Sequence, residues 1–184
     1  LAFSSIAHAG YVLVAVVVGS TSAISGVIFY SFAYAVMGTG AFGILTIRYA
    51  GRVPQTYDDL AGYGKRNPFQ ALMMTLFMFS LIGLPLTGGF IGKLQIFSAA
   101  LDGGWVWLTV IGIINSALSA YYYLRVVMFM YMREGALPEG TELPVKSSGF
   151  ALTGLIGTAV TVLYLGVFPD KIIELASSSI QALL

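Results

Sequence analysis

One lysine stands where the sequence offers it no water. Lys93 follows Gly89-Phe90-Ile91-Gly92, apolar residues continue after it, and the nearest charged residues are Arg66 upstream and Asp102 downstream. An ionisable group at membrane depth costs about 2.5–3.5 kcal/mol on insertion scales. Burial disfavours the ammonium, and the positive N-terminal end of a helix opening just upstream adds to that effect. A group so placed can change charge when a neighbour changes charge, which is what a proton relay requires. The bland alternative is a lysine that snorkels to the interface. A lysine stem reaches about 6 Å, whereas the nearer end of the apolar stretch is about 12 Å away along a helix, which favours the relay.

His8 is the second candidate. It sits in Ser4-Ser5-Ile6-Ala7-His8-Ala9-Gly10-Tyr11, where small residues let another helix or water approach. An unperturbed imidazole titrates near neutrality and can pass protons. A lone buried histidine serves equally well as a hydrogen-bonded packing residue, and the sequence leaves both roles open. Asn115, Ser119 and Tyr122 or Tyr123 recur at helical spacing, so one face of their helix is polar. Such a face either joins helices by hydrogen bonds or lines a wet path. Tyr30, Tyr34, Thr39 and Thr46 form a weaker polar line, in which the tyrosines could be packing aromatics. Asp58 and Asp59 read as solvated loop charges or a docking contact. There is no nucleophile–base arrangement and no phosphate-cradling loop. The single His and the scattered acids make no metal-ligand spacing, so no metal site is expected. Cysteine is absent, which excludes disulfides and iron–sulfur ligation by this chain.

The elements that must hold these residues are apolar helices. The chain has 184 residues, 58% of them hydrophobic and only 9% charged, with mean hydropathy +0.87. Soluble domains carry about 25% charged residues. So little charge cannot coat a globule, which excludes an ordinary soluble enzyme, a disordered chain and a nucleic-acid binder. Net charge of +1 suggests no polyanionic partner. The expected fold is all-α, a polytopic transmembrane bundle of about five spans forming one domain. The spans are placed at about 1–19, 26–48, 68–101, 105–132 and 149–168. The polar stretch 52–67 and a loop with Gly135, Pro138, Gly140 and Pro144 read as surface connections. The absence of a charged start before the first apolar residues argues against a signal peptide and for the C-terminal part of a longer protein.

The third stretch is too long for one helix. At about 1.5 Å per residue it would run roughly 50 Å, against a hydrocarbon core of about 30 Å. Its middle holds Gly83, Pro85, Gly88 and Gly89. Pro85 removes a donor and clashes with the preceding turn. Two half-helices with a break near 83–89 fit better, as in transporters whose broken helices line ion paths. With alternating spans, Arg48, Arg52, Lys65, Arg66, Arg125, Arg133 and Lys146 gather on one side, and Lys171 lies on the other. That bias makes the basic side cytoplasmic or its organellar equivalent. Tyr49, Trp105, Trp107 and Tyr131 suit an interfacial belt.

Three motifs in order, Ser4 to Tyr11, Leu84-Pro85-Leu86-Thr87-Gly88-Gly89-Phe90-Ile91-Gly92-Lys93 and Ala120-Tyr121-Tyr122-Tyr123-Leu124-Arg125, resemble the proton-translocating antiporter-like subunits of respiratory complex I, NADH–quinone oxidoreductase, the N-type most closely. The resemblance covers nearly the whole chain. It implies helices ten to fourteen of a fourteen-helix subunit built on two inverted five-helix repeats. Lys93 matches the buried lysine of the discontinuous helix twelve, His8 falls on helix ten and the tyrosine face on helix thirteen. The M-type carries a glutamate at the lysine position, and the L-type has a different motif there and a long lateral helix not seen here. The family's other key charges lie in helices outside this sequence. The resemblance implies a translocase subunit without a redox centre. It places NADH, FMN, iron–sulfur clusters and quinone on other subunits, and makes sister membrane-arm subunits, lipid and protons the partners. The implied location is a bacterial cytoplasmic membrane or an organellar energy-converting membrane. Rival readings are a multisubunit sodium/proton antiporter, a related hydrogenase or plastid-type complex, and a structural scaffold in which Lys93 never titrates.

Overall fold

The computed structural model describes residues 1–48, 56–134 and 149–181. Arg52, Tyr49, Lys146 and the loop around Gly135 to Pro144 lie outside that range. The described chain is all helical: α1 (Ser4–Val18), α2 (Thr21–Arg48), a 3₁₀ turn (Asp58–Leu60), α3 (Tyr63–Arg66), α4 (Pro68–Ile82), α5 (Gly88–Asp102), α6 (Val106–Met132), α7 (Gly149–Val167) and α8 (Asp170–Gln181). Three helices are long and apolar enough to cross a membrane unaided, over Thr21–Thr46, Val106–Met132 and Gly149–Val167. α4 and α5 are 15 residues each, about 22 Å apiece, and succeed one another across the break. α1 is also 15 residues.

Local chemistry sets most of these limits. Gly19, in the left-handed region, ends α1 by donating to Ala15 O at 3.1 Å. Ser20 then caps α2, its hydroxyl accepting from Ala23 N–H at 3.2 Å. The polar triplet Ser20-Thr21-Ser22 therefore opens the second helix instead of separating two spans, and α2 starts at Thr21, earlier than the sequence places it. Pro68 begins α4, where its missing N–H costs nothing.

The break covers residues 83–87, shorter than the sequence expectation of 83–89. Gly83 and Pro85 lie in it. Gly88 and Gly89 do not: they form the first turn of α5. Their small size serves packing. A Cβ on Gly89 would run into the Ser80 carbonyl, and one on Gly88 would stand 2.9 Å from Leu165 Cβ. The break itself lies against α7, where a Cβ on Gly166 would meet the backbone of Leu86 and Thr87.

α2 and α5 are central. α5 touches α1, α2, α4, α6 and α7, and α2 touches α1, α4, α5, α7 and α8. One core lies among α2, α4, α6 and α7, around Phe29, Met37, Phe77, Met78, Met130 and Val162. A smaller one lies among α1, α2 and α5, around Tyr11, Ala15, Tyr30, Ile96 and Ala100. Small residues allow the close crossings: the Phe77 ring covers Gly40, and Tyr30 covers Gly92. The outer faces of α1 and α6 leave Ile6, Leu13, Ile111 and Leu118 exposed, a surface made for an apolar surround.

Two segments are more structured than their sequence suggests. The end of the polar stretch, read as a plain surface connection, buries Leu60, Ala61 and Tyr63 against the bundle. α8 follows the last expected span, in a segment where the sequence analysis places only Lys171. It is amphipathic, with Ala176 and Ile180 buried, Ile172 and Ile173 half-buried, and Lys171, Glu174 and Ser178 exposed.

Candidate functional site

The site begins with the end of α4. Leu84 N–H donates to Phe79 O and Gly83 N–H to Ser80 O, each at 3.0 Å, with Gly83 at φ +92°. This is a Schellman cap, which disposes of two of the four terminal carbonyls. The carbonyls of Leu81 and Ile82 remain. Pro85 has no N–H to offer Leu81, and Leu86 has left the helix at φ +69°.

Lys93 takes both. Its Nζ donates to Leu81 O at 2.9 Å, to Ile82 O at 2.8 Å and to Ser116 Oγ of α6 at 2.9 Å. Three ammonium protons thus meet three acceptors. Lys93 is 5% exposed. Its stem passes Gly83 so closely that a Cβ there would lie 3.2 Å from Lys93 Cδ. The terminus facing the ammonium is the negative end of α4, so the dipole favours the charge. The sequence expectation considered only the positive end of α5; the structure also sets the C-terminal carbonyls of α4 against the ammonium. The two half-helices satisfy one another, because Ser80 Oγ of α4 in turn accepts from Gly89 N–H of α5 at 3.3 Å.

His8 forms a neighbouring cluster. Its Nδ1 pairs with Tyr30 OH at 2.5 Å and its Nε2 with Tyr123 OH at 2.8 Å. A neutral imidazole has one donor and one acceptor, so one tyrosine donates to the ring and the other accepts from it. Tyr34 stacks on the imidazole at 4.5 Å between centroids. Both ring nitrogens are satisfied, as a packing histidine requires and as a relay allows.

The other polar candidates divide. Tyr123 is buried on His8, while Tyr122 is half-buried and packs on Tyr123 with centroids 4.6 Å apart. Ser119 is buried and donates to the Ser116 carbonyl at 2.6 Å. Asn115 is exposed and donates to Tyr11 OH at 3.3 Å. Thr46, on the weaker line, bonds back to Phe42 O of its own helix at 2.9 Å and joins neither cluster. Asp59 is half-buried, and its carboxylate accepts from Thr56 N–H at 3.0 Å. Arg125 sits over the Tyr57 ring at 4.7 Å.

Sequence reasoning gave no role to Ser116 or Tyr11, and left Tyr30 between a weak polar line and a packing aromatic. Ser116 holds the third ammonium proton, and only its place next to Asn115 hinted at it. Tyr11 and Tyr30 touch His8, Tyr11 edge-on with centroids 5.8 Å apart. Tyr11 was visible in the motif around His8, but its contact with Lys93, whose Nζ lies 5.0 Å from the ring centroid, depends on how α1 and α5 cross. A separate polar cleft of about 160 Å³ lies on the opposite face of α5, lined by Ser22, Ser25, Gln95, Ser98, Asp102 and Ser177 among others.

Residues 1–119 match the family described as NADH:quinone oxidoreductase/Mrp antiporter, transmembrane. The chain is 47% identical over 181 residues to NADH-quinone oxidoreductase subunit N 1 of Solibacter usitatus, covering 97% of this chain and 37% of that one. It is 45% identical over 183 residues to subunit N of Salinibacter ruber, covering 95% and 36%. The chain thus spans a little over a third of the length of these relatives. Among solved structures, respiratory complex I from Thermus thermophilus with bound Aureothin matches with TM-score 0.80 and 31% identity, over 95% of this chain and 38% of that one. The Mrp complex from Dietzia sp. DQ12-45-1b matches with TM-score 0.79 at 21% identity, over 95% and 40%, a likeness of fold alone. With that match over residues 1–119, this chain belongs to the NADH:quinone oxidoreductase/Mrp antiporter transmembrane family.

Proposed function

We propose that this chain is the distal helical repeat of an antiporter-like, N-type subunit of NADH–quinone oxidoreductase, and that it carries protons through the membrane arm. The observation that carries this reading is Lys93: a buried cation at the joint of a broken helix, held, among the described residues, by two carbonyls, one hydroxyl and an aromatic face. No carboxylate among the described residues lies within ion-pair distance of it, so its charge is balanced by dipoles. An arrangement of that kind tolerates both charge states, because neutral Lys93 keeps two donors and gains an acceptor for Ser116. His8, with Tyr30 and Tyr123, and the polar positions Asn115, Ser119, Tyr122 and Tyr34 would extend the path. Electron transfer from NADH to quinone, with FMN and iron–sulfur clusters, would take place on other subunits and drive the charge change. The partners are the other membrane-arm subunits, and the location is a bacterial cytoplasmic membrane with the Lys65–Arg66 end inside.

Two rivals share the site. A Mrp-type sodium/proton antiporter would use the same lysine without NADH. In a scaffold, Lys93 is only the cap of α4, a role its complete set of acceptors also fits.

The test is Lys93→Met in the full complex, in sealed inside-out vesicles, after native-gel assembly is checked. NADH oxidation, quinone reduction and proton uptake are followed together. The expected result is an assembled complex whose NADH-driven proton uptake falls severalfold. Wild-type pumping in the assembled variant rejects the relay and leaves the cap.

A further inference from the structure

Two guanidiniums near the end of α6 have rings for neighbours and no acid. Arg125 lies over the Tyr57 ring at 4.7 Å and the Phe129 ring at 5.6 Å, and Arg133 lies over the same Phe129 ring at 5.3 Å. Among the described residues neither arginine makes an ion pair or a hydrogen bond, although Asp58, Asp59 and Glu134 lie at the same end of the bundle. An aromatic face attracts a cation but leaves its N–H donors unmet. Each guanidinium holds five such donors in a planar fork that matches a carboxylate or a phosphate. Arg125 is half-buried, about two turns before α6 ends, so bulk water covers only part of it.

The surface beside them is apolar. Arg125, Phe129 and Arg133 follow one another at four-residue intervals and make one row along the end of α6. Tyr121, Met128 and Met132 are exposed. Each stands three or four residues from Arg125 or Phe129, so they form a second row against the first. The ligand that fits has an anionic head for the forks and a long apolar body for the ridge. Unbranched methionines suit a flexible chain. A protein partner would need an acid and an apolar face at matching depths, whereas a phospholipid carries both in one molecule. Basic pockets beside membrane helices take such headgroups.

We propose that the Arg125–Phe129–Arg133 row binds an anionic phospholipid, its phosphate held by the two guanidiniums and its acyl chains lying along Tyr121, Met128 and Met132. The inference uses the membrane setting and not the proton-carrying role of Lys93, so either can fail alone.

The test is photolabelling of the full complex in detergent by a photoactivatable phosphatidylglycerol, with the labelled peptides mapped after native-gel assembly is checked. Residues 121–133 should be labelled in the wild type. Plain phosphatidylglycerol should displace the label, and phosphatidylcholine and inorganic phosphate at the same concentration should not. Arg125→Gln and Arg133→Gln should each lower labelling of this stretch severalfold relative to other helices. Arg125→Lys keeps the charge but loses the fork, and should fall between wild type and Arg125→Gln. Unchanged labelling in the assembled variants overturns the site. If Arg125→Gln does not assemble, Arg133→Gln decides by the same criterion. Equal displacement by phosphatidylcholine means a surface that merely touches lipid, and displacement by phosphate means a free-anion site; both overturn the proposal. Labelled neighbouring helices beside an unlabelled 121–133 also overturn it, and point to a protein partner over the arginines.

Discussion

At the residue scale, the chemistry rests on how a lone cation is satisfied without an acid. Lys93 uses its three protons on Leu81 O, Ile82 O and Ser116 Oγ. The two carbonyls are fixed by the backbone and cannot be removed by substitution, but the hydroxyl can. A hydrogen bond to a charged group is worth about 1.5–3 kcal/mol. Ser116→Ala should therefore leave assembly intact on a native gel while NADH-driven proton uptake falls severalfold, and Ser116→Thr should restore it. Unchanged uptake in Ser116→Ala would remove Ser116 from the ammonium's working shell. His8 poses the complementary case. Its two tyrosine partners fill both nitrogens, so its role turns on whether those bonds can rearrange.

At the element scale, the broken helix is held from outside as well as from within. Inside, Ser80 caps α5 and Lys93 caps α4. Outside, α7 presses on the break at Gly166, where any side chain would enter the backbone of Leu86 and Thr87. One turn of backbone cannot yield as a flexible side chain can. Gly166→Ala should thus destabilise the purified full-length protein in detergent by about 1–3 kcal/mol, as overpacking does. Gly157 lies on the same helix with nothing within 4 Å of a Cβ. Gly157→Ala should raise stability by about 0.5–1 kcal/mol, the usual gain of alanine inside a helix. Thermal unfolding of the pair checks both signs, and equal effects would mean that the break is not braced by α7.

At the scale of the whole molecule, the two ends of the bundle differ in charge. α2 connects them. Its N-terminal Ser25 bonds Ser177 of α8 at 3.1 Å, and its far half packs under Leu155 near the start of α7. Lys65, Arg66, Arg125 and Arg133 are grouped at the α3 end together with Asp58, Asp59 and Glu134, and Gly64 of α3 is covered by Tyr131 of α6. Asp102, Asp170 and Glu174 lie at the other end with Lys171. No cysteine occurs in residues 1–184, so a thiol introduced there can be compared directly with the unsubstituted protein as its labelling background. Lys65→Cys should react with an impermeant maleimide from the cytoplasmic side only, and Glu174→Cys only from the opposite side. Both residues are exposed. Labelling of both from one side would reject the proposed orientation.

The sequence alone determined the all-helical class, the membrane setting and the broken third stretch. Each of these rests on counting along one chain: too few charges to coat a globule, and too many apolar residues with Pro85 at their middle for one crossing. Lys93 was legible for the same reason, as a charge with no charged neighbour for a turn or more on either side. Only the tertiary structure decided what surrounds it. The acceptors of its ammonium are two backbone carbonyls, which every residue has and no residue type advertises, and a serine contributed by another helix. Tyr11 and Tyr30 likewise took their places through the crossing of α1, α2 and α5, set by small residues such as Gly92. Gly88 and Gly89 looked like breakers because glycine usually is one. They proved to be the start of α5, where the constraint is the space left by Ser80 and Leu165, a quantity that exists only once the helices have met.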